Sequence, residues 1–512
     1  MCVAAIRLAS VCVLAATLFA GAAAAQKSKD TVRVPFNEPI DRISPYFTSH
    51  PGASFFTDAL YEPLIYRNPR TGHFEPLLAK SWKRIDPTTL EFDLRDDIAF
   101  HSGNKFTADD VVYMINWIID PQANLRHNED TDWIKSVEKL GPYKVRIRAH
   151  EPVAVDLSML SYSVRIYDSK IMTKLGDVGE YERDYMIGTG PYKITQRDVN
   201  KGVIIVKNEN YKHSPGRVGQ VGKLIGLVVP DEQSRIANLL TGNVDVVADL
   251  PQDQIAELSA KSNLMTTSSP SLQFIFLQLD AIGKSGRKEL TDPRVRRAIF
   301  MGVDREAIIK HLIAGSDLAV PPTAFCIKGQ IGCVHTKSLP PYDPEGAKKL
   351  LAEAGYPDGF EVIVDSTPPK VKALGEVVAG QLAKIGLKAR HQPLPTPVYR
   401  QWQRDGKLEA HIAPWTNQFD VGRTVNRYFS PGQTDMFADQ TLDAWRIQAS
   451  KETDPAKRDA IYSQFYDRVN EQSYILPITT VPFVYVHSKD LRIRPGALTQ
   501  WGAEASDFSW AK

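Results

Sequence analysis

Apolar residues recur at helical spacing in six segments of the chain, and capping residues mark where most of these segments begin. Thr107 and Asp110 have the spacing of a capping box ahead of an apolar face. Arg294, Arg296 and Arg297 fall largely on the outer face of another predicted helix. The predicted helices start after Thr107, Asp292, Asp304, Asp343 and Asp454, with a sixth around residues 374–385, and glycines at 315, 355 and 386 are predicted to end three of them.

Short runs rich in β-branched and aromatic residues, bounded by turn residues, separate these helices. They predict strands at residues 89–94, 144–149, 202–207, 226–229, 273–279, 361–364 and 482–487. Helix-like and strand-like segments alternate without an internal repeat, a low-complexity tract or a long linker. This order predicts an α/β architecture.

The first 25 residues form a segment of their own. Arg7 is its one charged residue, an apolar run covers residues 8–20, and four alanines precede the polar residues from Gln26 onward. A positive start, a short apolar run and an Ala-x-Ala exit predict a secretory signal peptide cleaved near Ala25. A membrane anchor would need about 20 apolar residues in a row, and a lipoprotein signal at Cys12 is disfavoured by the bulky valine before it. We therefore expect an exported mature chain that does not span the membrane.

The overall composition is that of a globular protein. The 512 residues include 62 Lys and Arg against 60 Asp and Glu, and 43% are hydrophobic. A formal net charge of +2 excludes a charge-driven nucleic-acid partner. The length allows roughly two to four domains, each with a sizeable core.

Two cysteines remain once the signal segment is removed. Cys326 and Cys333 enclose Gly329 and Gly332, which let the loop fold back, and an exported compartment is oxidising. The pattern predicts a disulfide, worth about 2–3 kcal/mol on the chain-entropy model. The alternative is a metal half-site, but His335 nearby does not supply the second pair of ligands that such a site needs.

A search for catalytic motifs finds no His-Glu-x-x-His, Gly-x-Ser-x-Gly, Walker or Cys-x-x-Cys pattern. The glycine-rich turn at residues 187–192 runs into a strand, whereas a phosphate cradle needs a helix after the glycines. We interpret it as a tight turn where two backbones approach closely. We expect neither an enzyme nor a cofactor or metal site, and a secreted hydrolase would require a nucleophile–base pair or a metal site that the spacing does not provide.

Three groups of motifs, taken in order, resemble a known family. The first comprises LYEPLI at residues 60–65, LAKSW at 78–82, LEFDLR at 90–95 and FHSGNKFTADDV at 100–111. The second comprises GTGPY at 188–192, NENY at 208–211 and LTGNVDV at 240–246. The third comprises DPRVRRA at 292–298, VDR at 303–305 and the segment from DPE at 343–345 to AGY at 354–356. Together they resemble the family 5 extracellular solute-binding proteins, the dipeptide, oligopeptide and nickel receptors of ABC importers.

The resemblance implies a type II periplasmic-binding-protein-like fold of two lobes joined by a hinge, with a subdomain inserted in the first. It places lobe I at residues 26–52, 189–268 and 488–512, the insertion at 53–188 and lobe II at 269–487. It also implies that the lobes close over a ligand, which is a population shift. The implied partners are a membrane permease with its ATPase and a small-molecule or peptide ligand, and the receptor is expected to be a monomer.

The resemblance also points to a ligand-binding segment in lobe II. Peptide-binding members have Trp-x-x-Asp-Tyr-x-Asp-Pro there, and the first Asp holds the ammonium group of the peptide. Gln418 stands at that position in this chain, and Arg423 offers a bidentate partner for a carboxylate instead. The alternative is that the aromatic residues belong to the core and Arg423 to the surface. The candidate ligand-binding residues are Trp415, Asn417, Gln418, Phe419, Asp420 and Arg423, with Glu38 and Ser44 on the opposite wall.

The expected function is therefore that of a periplasmic receptor for peptides or a peptide-like small organic solute. Nickel or another chelated metal, an opine and a sugar-type solute remain alternative ligands, and a secreted hydrolase is the alternative of a different class.

Overall fold

The computed structural model describes residues 30–48, 51–125, 130–176, 178–367, 371–416, 419–432, 434–497 and 502–511. The predicted signal peptide, residues 1–25, lies outside these ranges. In the part of the chain that is described, no helix is long and apolar enough to cross a membrane.

Five of the longer helices begin where capping residues predict them. Thr107, Asp292, Asp304, Asp343 and Asp454 are all N-caps whose side chains accept a backbone N–H. In chain order the longer helices are α1 Pro51–Leu60, α2 Ala108–Ile118, α3 Asp156–Tyr162, α4 Ser169–Leu175, α5 Glu232–Leu240, α6 Gln252–Ser259, α7 Pro293–Met301, α8 Arg305–Leu312, α9 Pro344–Glu353, α10 Lys372–Lys384, α11 Thr396–Asp405, α12 Gly422–Phe429, α13 Gln440–Lys451 and α14 Pro455–Glu471.

The seven predicted strands are present, four of them with the predicted bounds. The strands are β1 Thr31–Phe36, β2 Ile65–Arg67, β3 Phe74–Pro76, β4 Ala79–Asp86, β5 Thr89–Leu94, β6 Ile134–Gly141, β7 Lys144–Ala149, β8 Tyr192–Asp198, β9 Gly202–Lys207, β10 Lys223–Val228, β11 Val246–Ala248, β12 Leu264–Ser269, β13 Gln273–Leu279, β14 Glu361–Ser366, β15 Lys388–Pro393, β16 Ala410–Thr416, β17 Ile475–Thr480, β18 Phe483–Ser488, β19 Leu491–Ile493 and β20 Phe508–Trp510. The α/β class predicted from the sequence is confirmed.

Two four-stranded sheets, in the orders β1-β10-β9-β8 and β4-β5-β7-β6, share one continuous hydrophobic core. Val32 and Ile205 come from the first sheet, and Leu90 and Ile147 from the second. We call the part of the molecule around these two sheets the first lobe. The boundaries given above for lobe I and its insertion stay a prediction.

A five-stranded sheet, in the order β15-β14-β16-β13-β17, forms the centre of the second lobe. Its side chains alternate between two cores, as the period of a strand requires. On β13, Ile275 and Leu277 pack into one core, whereas Phe274 and Phe276 pack into the other. The sheet is therefore covered on both faces.

The chain crosses between the three-stranded sheet β11-β18-β12 and the five-stranded sheet twice, between β12 and β13 and between β17 and β18. The Ser271 hydroxyl donates to the Val481 carbonyl at 2.6 Å, and the Val481 N–H donates to the Gln273 carbonyl at 2.9 Å. The two connections thus run side by side, which is an arrangement that a hinge between two lobes can use.

The turn at residues 187–192 confirms the predicted close approach of two backbones. A Cβ atom on Gly188 would lie 1.8 Å from the Leu60 carbonyl oxygen, and one on Gly190 would lie 2.3 Å from the Ala59 oxygen. Any larger residue at either position would push the motif at residues 60–65 away from this turn.

Two details of the predicted helices are wrong. Arg296 is not on an outer face: it is buried and donates to the carbonyls of Leu290 at 2.8 Å and Gln472 at 3.0 Å, because the segment after α14 covers that side of α7. Helix α8 ends at Leu312, before Gly315, which takes a φ of 69° in the following turn.

Candidate functional site: a pocket between the two lobes

A pocket with a cavity volume of about 70 Å³, partly open to solvent, lies where the first lobe faces Phe419 of the second lobe. Its walls combine aromatic and apolar side chains with charged ones, and the described lining residues include no His, Cys or Met. The lining residues are Phe55, Asp58, Pro63, Tyr66, Arg67, Pro69, Ser161, Tyr162, Arg165, Arg217, Phe419, Gly502, Ala503 and Glu504. A concave, mixed surface between lobes is the usual form of a small-molecule site.

Arg67, the last residue of β2, has the most unusual environment in the pocket. Its residue surface is only 4% exposed, yet its Nε and Nη1 atoms have no hydrogen-bond partner among the described residues. The guanidinium lies over the rings of Phe74, at 5.2 Å, and Phe419, at 5.1 Å. Burial lowers the pKa of Arg67 to about 10, although the negative charge of Asp420 acts in the opposite direction.

The other two arginines of the pocket have partners. Arg165 pairs with Asp58 at 2.7 Å and donates to the Ser161 carbonyl at 3.0 Å. Arg217 donates to Glu62 at 2.8 Å and to the Asp58 carbonyl at 2.8 Å. These bonds hold both guanidinium groups against the first lobe.

Glu62, behind the pocket wall, is a buried carboxylate with partners on both oxygens. Oε1 accepts from Tyr211 at 2.7 Å and from Arg217, and Oε2 lies 2.9 Å from the Thr189 hydroxyl and 2.8 Å from His213 Nε2. Burial by itself would raise the pKa of Glu62, but His213 and Arg217 outweigh it and lower that pKa. Glu62 of the LYEPLI motif is therefore a stabilising anchor, whereas Pro63 of the same motif lines the pocket.

Glu504 brings a second carboxylate to the pocket wall. It accepts a hydrogen bond from the Tyr66 hydroxyl at 3.0 Å, and its Oε2 lies 3.9 Å from Arg217 Nε. Burial raises the pKa of Glu504, and Arg217 acts in the opposite direction. With Asp58, the pocket thus presents two acidic side chains beside three arginines.

Phe419 and Asp420 lie together in the segment that faces the pocket, but they point to different surroundings. Phe419 covers Arg67. Asp420 is buried and accepts two bonds from Arg458, at 2.6 and 2.7 Å, and one from the Gly422 N–H at 2.8 Å. Its carboxylate is thus engaged inside the second lobe.

Trp415, at the end of β16, packs against the core of the second lobe. Its indole N–H donates to the Thr424 hydroxyl at 2.9 Å, and its ring meets Tyr428 edge-on at 5.1 Å. Asn417 and Gln418, the next two predicted contacts, lie outside the described residues.

The remaining predicted contacts are spread over the first lobe and the rim. Arg423 Nη1 lies 3.3 Å from Asp130, which belongs to the first lobe. Glu38 is exposed, whereas Ser44 is buried and donates to Glu182. Ligand contacts of these residues stay a prediction.

The disulfide loop braces the segment that carries Phe419. Cys326 and Cys333 are bonded, as predicted, with their Cα atoms 5.6 Å apart. Between them, Ile331 accepts from the Val421 N–H at 3.1 Å and donates to the Phe419 carbonyl at 2.8 Å. The bridge therefore restricts the backbone on which one wall of the pocket depends.

Further contacts join the lobes at the rim of the cleft. Lys451 Nζ lies 2.5 Å from Glu151, and the Ala154 N–H donates to the Ser450 carbonyl at 3.0 Å. Together with Asp130 and Arg423, these contacts hold the two lobes against each other in this conformation.

Arg67, Arg165 and Arg217 were missed by the sequence reasoning. Arg67 lies two residues after the LYEPLI motif, but a single arginine at the end of a short strand carries no local signal of burial. The residues that the structure describes also contain no group of three or more His, Cys, Asp or Glu side chains that could hold a metal ion.

Comparison with known proteins gives the family. The model of "Bacterial extracellular solute-binding proteins, family 5 Middle" matches residues 73–436. Heme-binding protein A of Haemophilus influenzae is 27% identical, with 82% of this chain and 81% of the relative covered. Glutathione-binding protein GsiB of Salmonella paratyphi A is 26% identical, covering 79% and 80%.

Among solved structures, NikA from Brucella suis in complex with Fe(III)-EDTA superimposes with a TM-score of 0.82 at 23% identity, covering 94% of this chain and 99% of that one. This likeness supports the two-lobed fold. Family 5 solute-binding proteins are periplasmic receptors of ABC importers, and the relatives named above are binding proteins rather than enzymes. The match of the family model over most of the chain, on a two-lobed fold with a pocket between the lobes, shows that this protein belongs to family 5 of the bacterial extracellular solute-binding proteins.

Proposed function

We propose that the pocket between the lobes captures a peptide-like solute with carboxylate groups, which the chain then delivers to an ABC-importer permease. The observation that carries the proposal is the buried guanidinium of Arg67, whose Nε and Nη1 atoms have no protein partner among the described residues. A buried charge is normally paired, so a ligand carboxylate is the natural complement.

The remaining charges of the pocket suit a solute with both acidic and basic groups. Three arginines favour carboxylates, and Asp58 and Glu504 offer acceptors for an ammonium group. Glutathione, a tripeptide with two carboxylates and one ammonium, has this combination. The 26% identical relative GsiB is named as a glutathione-binding protein, which makes glutathione the first compound to test.

Closure would couple binding to transport. Phe419 comes from the second lobe and Arg67 from the first, so a ligand beside this pair contacts both lobes only when these are closed. Such a ligand favours the closed state by its differential affinity for it. The closed receptor would then be the form that the permease recognises.

Isothermal titration of the purified protein with glutathione, trialanine and nickel–histidine tests this function. We expect saturable binding of glutathione or trialanine. Binding of the metal chelate alone would contradict the proposal and favour the chelated-metal alternative. Native mass spectrometry of protein taken directly from the periplasm is the complementary measurement, because a closed receptor retains its ligand.

We also propose export with removal of residues 1–25. The support is the charge and apolar pattern of that segment. Amino-terminal sequencing of the exported protein is expected to begin at Gln26. A start at Met1 in the secreted fraction would contradict cleavage.

A further inference from the structure

Arg67 lies at a point where the fold makes a positive charge hard to solvate. The side chain is on the short strand β2, inside the pocket, and 4% of the residue surface is exposed. Removing a guanidinium from water is costly unless its N–H groups find acceptors. Nε and Nη1 find none in the described part of the chain.

The two neighbouring arginines of the pocket differ from Arg67 because each is paired with a carboxylate, although Nε of each has no partner among the described residues. Arg165 has Asp58 at 2.7 Å, and Arg217 has Glu62 at 2.8 Å. The carboxylate of Asp420, whose negative charge acts on Arg67, is held in two bonds by Arg458. Arg67 is therefore the pocket arginine with the most unpartnered donor atoms among the described residues: two, against Nε alone in Arg165 and in Arg217.

Two aromatic rings lie against the guanidinium. The ring of Phe74, of the first lobe, is at 5.2 Å, and that of Phe419, of the second lobe, is at 5.1 Å. Stacking of this kind stabilises a guanidinium and fixes its plane. An acceptor must then approach at the edge, and a planar carboxylate matches that geometry.

We propose that Arg67 determines specificity by binding a carboxylate of the ligand at the edge of its guanidinium, and that Phe419 completes this subsite when the lobes close. The inference rests on the proposed function, because it assigns one residue to the recognition of the ligand class named there. It predicts that the receptor distinguishes a carboxylate from the uncharged amide of the same shape, and that Arg67 is the reason.

The test compares glutathione with its two monoamides on the wild-type protein and on Arg67→Met, Arg67→Lys and Arg297→Met. Arg297 is an exposed arginine on α7 of the second lobe and serves as the matched control. We expect wild type to bind one monoamide roughly thirtyfold or more weakly than glutathione, since a buried charge pair is lost. In Arg67→Met, glutathione should fall to the level of that amide, so that the ratio approaches one.

The Lys variant keeps the charge but loses the planar fork, so it should retain part of the discrimination. Arg297→Met should match wild type. An Arg67→Met protein that still prefers the acid over the amide by the wild-type ratio would overturn the inference while leaving the proposed function intact. Equal binding of the acid and both amides by wild type would do the same.

Failure of every glutathione form to bind wild type would count against glutathione as the ligand, and Arg67 is then probed with tricarballylate and its triamide. A rise in the thermal unfolding midpoint of wild type with tricarballylate that is absent with the triamide and in Arg67→Met supports the subsite. An equal rise in both proteins, or no rise in either, overturns it.

Discussion

Glu62 and Arg67 lie near the two ends of one short segment, and both are buried charges, yet their surroundings are opposite. Each oxygen of Glu62 has partners from the first lobe, including Arg217 and His213. Arg67 has two aromatic rings against its guanidinium and two N–H-bearing atoms without a partner among the described residues. The bonds of Glu62 stabilise the fold. The unpartnered donor atoms of Arg67 still need acceptors, which a ligand can supply.

The difference shows how to separate structural from functional charges within one short segment. A charge whose partners are supplied by the protein adds to stability only while the whole set is intact. A charge without protein partners costs stability and is retained for another reason. Substituting Glu62 should therefore lower the free energy of unfolding, whereas substituting Arg67 should lower ligand affinity and leave stability unchanged or higher.

The largest effect is expected for Glu62→Gln. The substitution leaves Arg217 buried without its carboxylate, and breaking such a pair typically costs about 3–5 kcal/mol. Urea unfolding at pH 7, followed by circular dichroism, measures the loss. A loss below about 1 kcal/mol would mean that the remaining partners of Arg217, Asp58 and Glu504, are sufficient.

Acidification should remove the same contribution from the wild-type protein. The pKa of Glu62 is lowered in the folded state, so the folded chain holds fewer protons there than the unfolded chain. The stabilisation is present above the ordinary glutamate pKa of about 4.3 and is lost as the pH falls through the lower, folded value. The difference in unfolding free energy between wild type and Glu62→Gln should therefore shrink below that pH, whereas a constant difference would contradict the assignment.

Charges at the rim of the cleft should contribute much less. Lys451 and Glu151 lie 2.5 Å apart, but their side chains are 48% and 59% exposed. We expect Lys451→Ala to cost less than about 1 kcal/mol, and the cost to vanish at high salt. Arg423→Ala provides the contrast, because its partner Asp130 is 6% exposed and the pair is less screened.

The smallest effect on stability is expected for Arg67→Met without ligand. Replacing an unpaired buried guanidinium by an apolar chain of similar length should leave the free energy of unfolding unchanged or raise it. Urea unfolding of the ligand-free variant beside Glu62→Gln gives the comparison directly. A loss comparable to that of Glu62→Gln would place Arg67 with the structural charges.

Local signals predicted much of the secondary structure. Thr107 and Asp110 form the predicted capping box, and the strands at residues 89–94 and 273–279 have the predicted bounds. These features depend on neighbours in the sequence, such as a cap and the first turn of its helix. Arg296 was predicted on the wrong face because the group that covers it, Gln472, is far away in the chain.

The binding site was predictable only in part. The segment around Phe419 was singled out from its resemblance to a family motif, and the structure places Phe419 on the pocket. Trp415 and Ser44 are bonded to neighbours within their own lobes, at Thr424 and Glu182. No spacing in the sequence indicates these long-range pairings.

The sequence by itself determined the α/β class, the capped helices, the disulfide and the family, because local patterns or a series of motifs indicate each of them. The tertiary structure decided which charges are satisfied. Arg67, Arg165 and Arg217 come from separate stretches of the first lobe, and only folding shows that Asp58 and Glu62 serve two of them. Which buried charges pair with each other depends on distances in the folded chain, and the spacing of residues in the sequence does not give these distances.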